Sequence, residues 1–471
     1  MTLKQRLYSN SPVPRKDWLG HVLDSIHEQG SVDGEISLDP VVQEFKDLIE
    51  GDSTLRMLAG SMFHEVPYHD DPVGNPQVRE PDTMFKMINH LLTEAPRWSD
   101  QAYDAGHVGL PLNTIFNWPM ATPSGHAFFL HPKVNVQLKK ILKKWEQYLS
   151  TPDSLNVVSK SDWLSPSARR SLAEDANLVP GKSYTFEEIY ICDPTKPHHG
   201  WKSWDDFFVR EFRPSVRPVH FPDPPIATRW SSSTGRGPRD QDPTAVIVSP
   251  CEAKPFALRT RVNECDSFWL KGQPYSVREM LSPSPLESMS DHFTGGTIYQ
   301  AFLGPTTYHR WHAPVSGIIR GHATIDGTYF SAPPLTGFPG PEGPDPTAQD
   351  RAQGYLPHVA TRAIMIIEAD NPDIGLVCFI AVGMVEISSC EIDPQIVSGD
   401  KVRVQKGEPT GMFHYGGSTY CLIFQKEARL NWVGECIPHV HEFHKNVAVN
   451  SALAFAQPRE KKRLEACVDC S

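Results

Sequence analysis

The sequence predicts an α+β protein, a helical N-terminal region followed by a mainly β core. Apolar residues recur at helical spacing through the first 150 residues. From about residue 245 the pattern changes to short β-branched runs punctuated by Gly, Pro and Asx. Two segments rich in Pro, Gly, Ser and Asp, 222–244 and 332–349, interrupt these patterns and read as loops.

The first helical stripe is Val41, Val42, Phe45, Leu48 and Ile49. A second is Met84, Phe85, Met87, Ile88, Leu91 and Leu92. A third and stronger one runs through Val136, Leu138, Ile141, Leu142, Trp145 and Leu149, opposite a lysine-rich face. Strands are expected in AVIVSP (245–250), GIIRGHATIDGTYF (317–330), GLVCFIAVGMVEIS (375–388) and STYCLIF (418–424). The expected division is a helical accessory domain over 1–180 and a catalytic domain over 181–471. The loop 222–244 reads as a linker. The loop 332–349 lies inside the β region, as a disordered insertion or a functional lid.

Composition narrows the function classes. The 471 residues are 39% hydrophobic and 21% charged, as in a soluble globular protein. A formal net charge of −11 argues against nucleic acid and against attachment to anionic lipid through a basic patch. The N-terminus lacks the apolar stretch of a secretory signal. The most apolar run, 375–387, is shorter than the about 20 residues a membrane helix needs. Nine cysteines without a spacing framework suit free thiols in a reducing compartment, so the expected location is the cytoplasm, with no membrane anchor.

Three short segments can carry chemistry. His414-Tyr415-Gly416-Gly417-Ser418-Thr419 contains a glycine pair able to bend where other residues cannot, as attack by a serine hydroxyl on its own preceding carbonyl requires. Taken alone, Gly-Gly-Ser fits an ordinary glycine turn at a strand entry better. Tyr308-His309-Arg310-Trp311-His312-Ala313-Pro314 sets two histidines three apart, either as polar residues at a strand end or as a catalytic pair. A base at His312 would need a carboxylate to fix its tautomer, and Glu252 in Ser249-Pro250-Cys251-Glu252 is the candidate.

Together these segments resemble the phosphatidylserine decarboxylase family of pyruvoyl enzymes, collinearly over about 200–425. The carrying motifs are WDDFFVREFRP (204–214) with Arg217-Pro218, FWLKGQPYS (268–276), YHRWHAPVSG (308–317) and KGEPTGMFHYGGST (406–419). The resemblance implies a pyruvoyl-decarboxylase core and cleavage between Gly417 and Ser418. His312, oriented by Glu252, would take the Ser418 proton. The Ser418 hydroxyl would attack the Gly417 carbonyl, and elimination then hydrolysis would leave a pyruvoyl group at residue 418 and release ammonia. That group would take up the electrons freed when a substrate carboxylate leaves as CO₂, with His309 at the substrate carboxylate or managing the proton. The cleaved C-terminal chain, 418–471, would stay bound by sheet pairing, and a homodimer is compatible with the family. One departure stands out: Pro250-Cys251-Glu252-Ala253 occupies the place of the family's usual P-x-D-G-like motif.

The substrate expectation follows the same resemblance. Gly327-Thr328-Tyr329-Phe330 before a proline-rich loop, Ile367-Glu368-Ala369-Asp370-Asn371 and the run Gly411 to Ser418 are similar to a fungal branch of the family that acts on free L-tryptophan. An aromatic L-amino acid, tryptophan first, is therefore expected, with phosphatidylserine as the alternative. Phe330 and Trp311 are candidates to line an apolar pocket, or else pack in the core. His439, His441 and His444, the His198-His199 pair, the cluster of His64, His69, Asp70 and Asp71, and Cys467-Val468-Asp469-Cys470 lack a ligand framework, and no metal site is expected.

Overall fold

The computed structural model describes residues 22, 37–67, 78–104, 108–179, 181–223, 242–265, 275–331, 352–386, 389–438 and 445–459. The loops 224–241 and 332–351, most of FWLKGQPYS, the histidines at 439, 441 and 444, His69, Asp70, Asp71 and the cysteines at 467 and 470 lie outside them.

Proline sets where the helices begin. Helices α1 (Pro40–Gly51), α2 (Ser53–His64), α3 (Pro81–Leu91), α4 (Asp100–Asp104), α5 (Pro111–Met120), α6 (Pro123–Leu130), α7 (Pro132–Leu149) and α8 (Pro166–Ala176) make up the N-terminal region. All but α2 and α4 start on a proline, whose missing N–H would have no helical partner there and whose fixed φ already suits a helix. Side-chain caps reinforce several starts: Asp39 accepts from Val41 N, Asp52 from Thr54 N and Leu55 N, and Thr122 from Gly125 N. The predicted stripes are the buried faces, with Val42, Phe45 and Ile49 on α1 and Leu138, Ile141, Leu142 and Trp145 on α7. Val136 departs from its stripe and is 61% exposed, because its neighbours Val134 and Leu138 already fill the inward face of α7.

The strands are β1 (Val246–Val248), β2 (Lys254–Thr260), β3 (Thr297–Leu303), β4 (Arg310–His312), β5 (Gly317–Ile325), β6 (Arg362–Ala369), β7 (Leu376–Gly383), β8 (Ser389–Ile392), β9 (Arg403–Val404), β10 (Pro409–His414), β11 (Ser418–Phe424), β12 (Arg429–Trp432) and β13 (Ala452–Gln457). Seven form an antiparallel sheet in the order β2-β3-β11-β7-β6-β5-β9. Two three-stranded sheets, β1-β13-β12 and β4-β10-β8, complete the core. The expected strand over 317–330 ends at Ile325, so Thr328, Tyr329 and Phe330 lie beyond it.

Both faces of the large sheet are covered. On one face Ile298, Ile364, Ile366, Ile380, Cys421 and Ile423 join the helices in a single apolar cluster. On the other, Tyr299, Met365, Phe379, Tyr420, Leu422 and Phe424 pack with residues of the two small sheets. That double burial explains why β11 reads as an unbroken apolar run without alternation. Strand β11 is thus the middle of the core, and Ser418 is its first residue.

Candidate active site

The turn Tyr415-Gly416-Gly417 joins β10 to β11 and presents the Gly417-Ser418 bond. Gly416 has φ +135, a backbone conformation that favours glycine. Gly417 does not: a Cβ there would meet only Val385 Cγ2 at 3.6 Å and Met384 Cβ at 3.9 Å, ordinary contacts. The bond is clamped by the end of β7. Met384 N–H donates to the Gly417 carbonyl at 2.9 Å, and Gly417 N–H donates to the Val385 carbonyl at 3.1 Å. Ser418 pairs in register with Gly383 on one side and Leu303 on the other. Its side chain is fully buried, and Oγ has no hydrogen-bond partner among the described residues.

The motif segments come together around this bond. Phe208 of WDDFFVREFRP stacks on the His309 ring, with centroids 4.2 Å apart. His309 is fully buried, and neither ring nitrogen has a partner among the described residues. Burial, helped by the nearby Arg210 charge, lowers its pKa to about 3, so it is neutral at physiological pH. Arg210 itself is buried and donates to the Thr306 carbonyl at 2.6 Å. Tyr275, the next-to-last residue of FWLKGQPYS, donates to Gln300 Oε1 at 2.6 Å. Gln300 Nε2 in turn reaches Thr419 Oγ1 at 3.1 Å, beside the bond.

His312 is placed differently from the expectation. Its Nδ1–H donates to the Gly407 carbonyl at 2.7 Å, so a backbone oxygen fixes the tautomer where a carboxylate was expected. Nε2 accepts from the Tyr308 hydroxyl at 2.9 Å. Burial lowers the pKa of His312 to about 4, leaving the ring a neutral base. Neither ring nitrogen of His312 bonds Glu252. Glu252 binds Arg217 through both carboxylate oxygens, at 2.6 and 2.9 Å. The physical reason is burial: Glu252 is 1% exposed, and a desolvated carboxylate is best matched by the two-pronged donor of a guanidinium. The backbone still brings the segment close, as His312 N–H donates to the Pro250 carbonyl at 2.8 Å.

His414 forms a second polar centre four residues before Ser418. Nδ1 faces both oxygens of Asp205 at 3.0 Å, and Nε2 faces Glu391 Oε2 at 2.9 Å. Burial disfavours the charged ring, yet these two hydrogen bonds outweigh it and raise the pKa to about 10. The imidazolium ties β10, β8 and the 204–208 helix together.

The two pocket candidates separate. Trp311 is fully buried on the small-sheet side, with its ring 5.0 Å from Phe413 and 5.6 Å from Phe379. Phe330 is buried on the helical side against Phe116, centroids 4.8 Å apart. They do not line one pocket. A small recess does lie on the Phe330 side, lined by Tyr329, Leu356, Met384 and Val385 among others, and it reaches Gly383, the register partner of Ser418. The roles of Arg217, Tyr308, Met384 and His414 were not read from the sequence. Arg217 had a signal, its place beside Pro218 in the first motif. The donor from Met384 is a backbone group that no side-chain pattern reveals.

Among the described residues no helix is long and apolar enough to cross a membrane, and no cluster of three or more His, Cys, Asp or Glu is arranged to hold a metal. Sequence profiles of phosphatidylserine decarboxylase match residues 39–172 and 204–438. The decarboxylase iboD of Amanita muscaria is 37% identical over 383 residues, which cover 78% of this chain and 99% of that protein. The L-tryptophan decarboxylase of Psilocybe cubensis is 32% identical, over 84% of this chain and 82% of that one. The phosphatidylserine decarboxylase proenzyme 3 of Schizosaccharomyces pombe is 26% identical over 56% of this chain and 22% of its own length. A relative matched over nearly its whole length, together with profiles that cover 39–172 and 204–438, means that the chain belongs to the phosphatidylserine decarboxylase family of carboxy-lyases.

Proposed function

We propose that the chain cuts itself between Gly417 and Ser418 and then decarboxylates an aromatic L-amino acid, L-tryptophan first, to its amine. The observation that carries the cleavage reading is the clamped bond: a buried Ser418 hydroxyl without a partner beside a Gly417 carbonyl that already accepts the Met384 N–H. Charge that develops on this oxygen during attack has a donor in place. His312 is the base, through Nε2, which must exchange the Tyr308 hydroxyl for that of Ser418. In this reading Glu252 acts indirectly: Pro250, two residues before it, holds His312, while its carboxylate holds Arg217.

The surroundings of residue 418 fit a pyruvoyl group, since an oxygen without a partner is already buried there among strand ends. Such a group supplies an electron sink for loss of CO₂. The chain's own residues do the rest. His309, its ring neutral and both ring nitrogens without a partner among the described residues, lies against Phe208 where it can meet a substrate carboxylate or hold a proton. The recess beside Gly383 has aromatic and aliphatic walls, but an indole enters it only if those walls move apart.

The tryptophan preference is supported by the 32% identical L-tryptophan decarboxylases of two Psilocybe species. Phosphatidylserine is the second reading, favoured by the names of the matching profiles and of relatives such as that at 26% identity. Incubation of the purified protein with L-tryptophan, L-tyrosine, L-phenylalanine and detergent-dispersed phosphatidylserine separates them. Tryptamine formation with no CO₂ from the lipid is expected, and CO₂ from the lipid alone would replace the amino acid reading.

A further inference from the structure

Glu386 is a fully buried carboxyl that the chemistry above does not use. It sits three residues past the end of β7 with φ +68, a left-handed backbone that a non-glycine residue rarely adopts. A residue kept in that conformation must be held by its surroundings. One carboxyl oxygen accepts the backbone N–H of Asn113 at 2.6 Å, in the first turn of α5 in the helical region. The other oxygen, Oε2, has no hydrogen-bond partner among the described residues. The Tyr415 hydroxyl is in the same condition, and the two groups interact electrostatically without a hydrogen bond of proper geometry. Burial raises the carboxyl pKa far above its ordinary range, and the Asn113 N–H and Tyr415 offset this only in part. The surroundings of Glu386 therefore favour the protonated form of its carboxyl.

Both neighbours lead to the scissile bond. Tyr415 opens the turn that presents it, and its ring is wedged against Trp145 of α7 and against Phe208, the residue stacked on His309. Met384 and Val385, which directly precede Glu386, make the two backbone hydrogen bonds that clamp Gly417. We propose that Glu386 is a positioning residue for self-cleavage: it braces the Met384-Val385 segment between helix α5 and Tyr415, so that docking of the helical region is a condition for cutting. The proposal rests on the self-cleavage reading above.

Pulse-labelled synthesis of the full chain, followed by a chase and a denaturing gel, reads the cleavage rate, and limited proteolysis of the same samples reads folding. Glu386→Gln keeps a neutral group that can accept from Asn113 and donate to Tyr415, so it should cut within about threefold of wild type. Glu386→Ala should slow cutting about tenfold or more, the equivalent of about 1.4 kcal/mol in the barrier, while remaining protease-resistant. Tyr415→Phe, which removes only the hydroxyl, should fall between them. Wild-type cutting by Glu386→Ala, or equal slowing by the Gln and Ala variants, would overturn the proposal. If Glu386→Ala does not fold, wild-type cutting by Tyr415→Phe overturns it. A wild-type chain that never cuts would instead defeat the self-cleavage reading, and the proposal with it.

Discussion

Arg217 grips Glu252 through two hydrogen bonds, Nε to Oε2 at 2.6 Å and Nη2 to Oε1 at 2.9 Å, with side-chain exposures of 5% and 1%. Arg217 also donates to the Ala176 carbonyl at 2.6 Å, at the end of α8, so the pair joins the helical region to the loop beneath His312. Removing either partner leaves the other charge buried alone. Arg217→Met or Glu252→Ala should each destabilise the fold by about 3–5 kcal/mol, read as a drop in thermal midpoint. A drop no larger than that of a surface substitution would contradict the pairing.

The two glycines of the cleavage turn should respond unequally. Gly416→Ala forces a side chain into φ +135, whereas a Cβ at Gly417 meets nothing closer than 3.6 Å. Gly416→Ala should therefore slow formation of the two fragments more than Gly417→Ala, by about tenfold if the strain is about 1.4 kcal/mol. The readout is the fraction of uncut chain on a denaturing gel over time.

The His414 imidazolium gives a pH signature. Its folded pKa, raised to about 10, lies above that of a free histidine, so the folded protein holds a proton that the unfolded chain releases. The stabilisation is complete below about pH 6.5 and is lost as pH rises to about 10. Thermal midpoints of wild type should fall across that window more steeply than those of His414→Gln. Parallel curves would show that the contacts with Asp205 and Glu391 do not hold the proton.

His309 and Ser418 should separate the two reactions. His309→Phe can keep the stack on Phe208 and should still cut, yet lose decarboxylation by about 100-fold or more. Product formation from L-tryptophan together with fragment analysis checks both halves. Normal turnover by the variant would remove His309 from the chemistry.

The helical region was legible because amphipathic helices advertise their buried faces, as the inward residues of α1, α3 and α7 show. Strand β11 was legible as an apolar run, and the motifs around its first residue, Ser418, are what make that residue the proposed cleavage serine. Pairings between distant segments were not. Glu252 was expected at His312, but 35 residues away Arg217 offers a buried carboxylate a better partner than an imidazole. Glu386 carries no motif at all: its significance lies in an Asn113 N–H 273 residues away and in the backbone bends that bring Met384 onto Gly417. Trp311 and Phe330, close in sequence to the motifs, fall on opposite faces of the sheet because β4 joins the small sheet while the chain after β5 turns to the helices.

Intact mass of the purified wild-type protein under denaturing conditions tests self-processing most directly. Two chains are predicted, one ending at Gly417 and one covering 418–471 that is lighter than its encoded sequence by one ammonia, with Ser418→Ala giving a single full-length chain. A wild-type protein that runs as one uncut chain of 52.7 kDa would contradict the account.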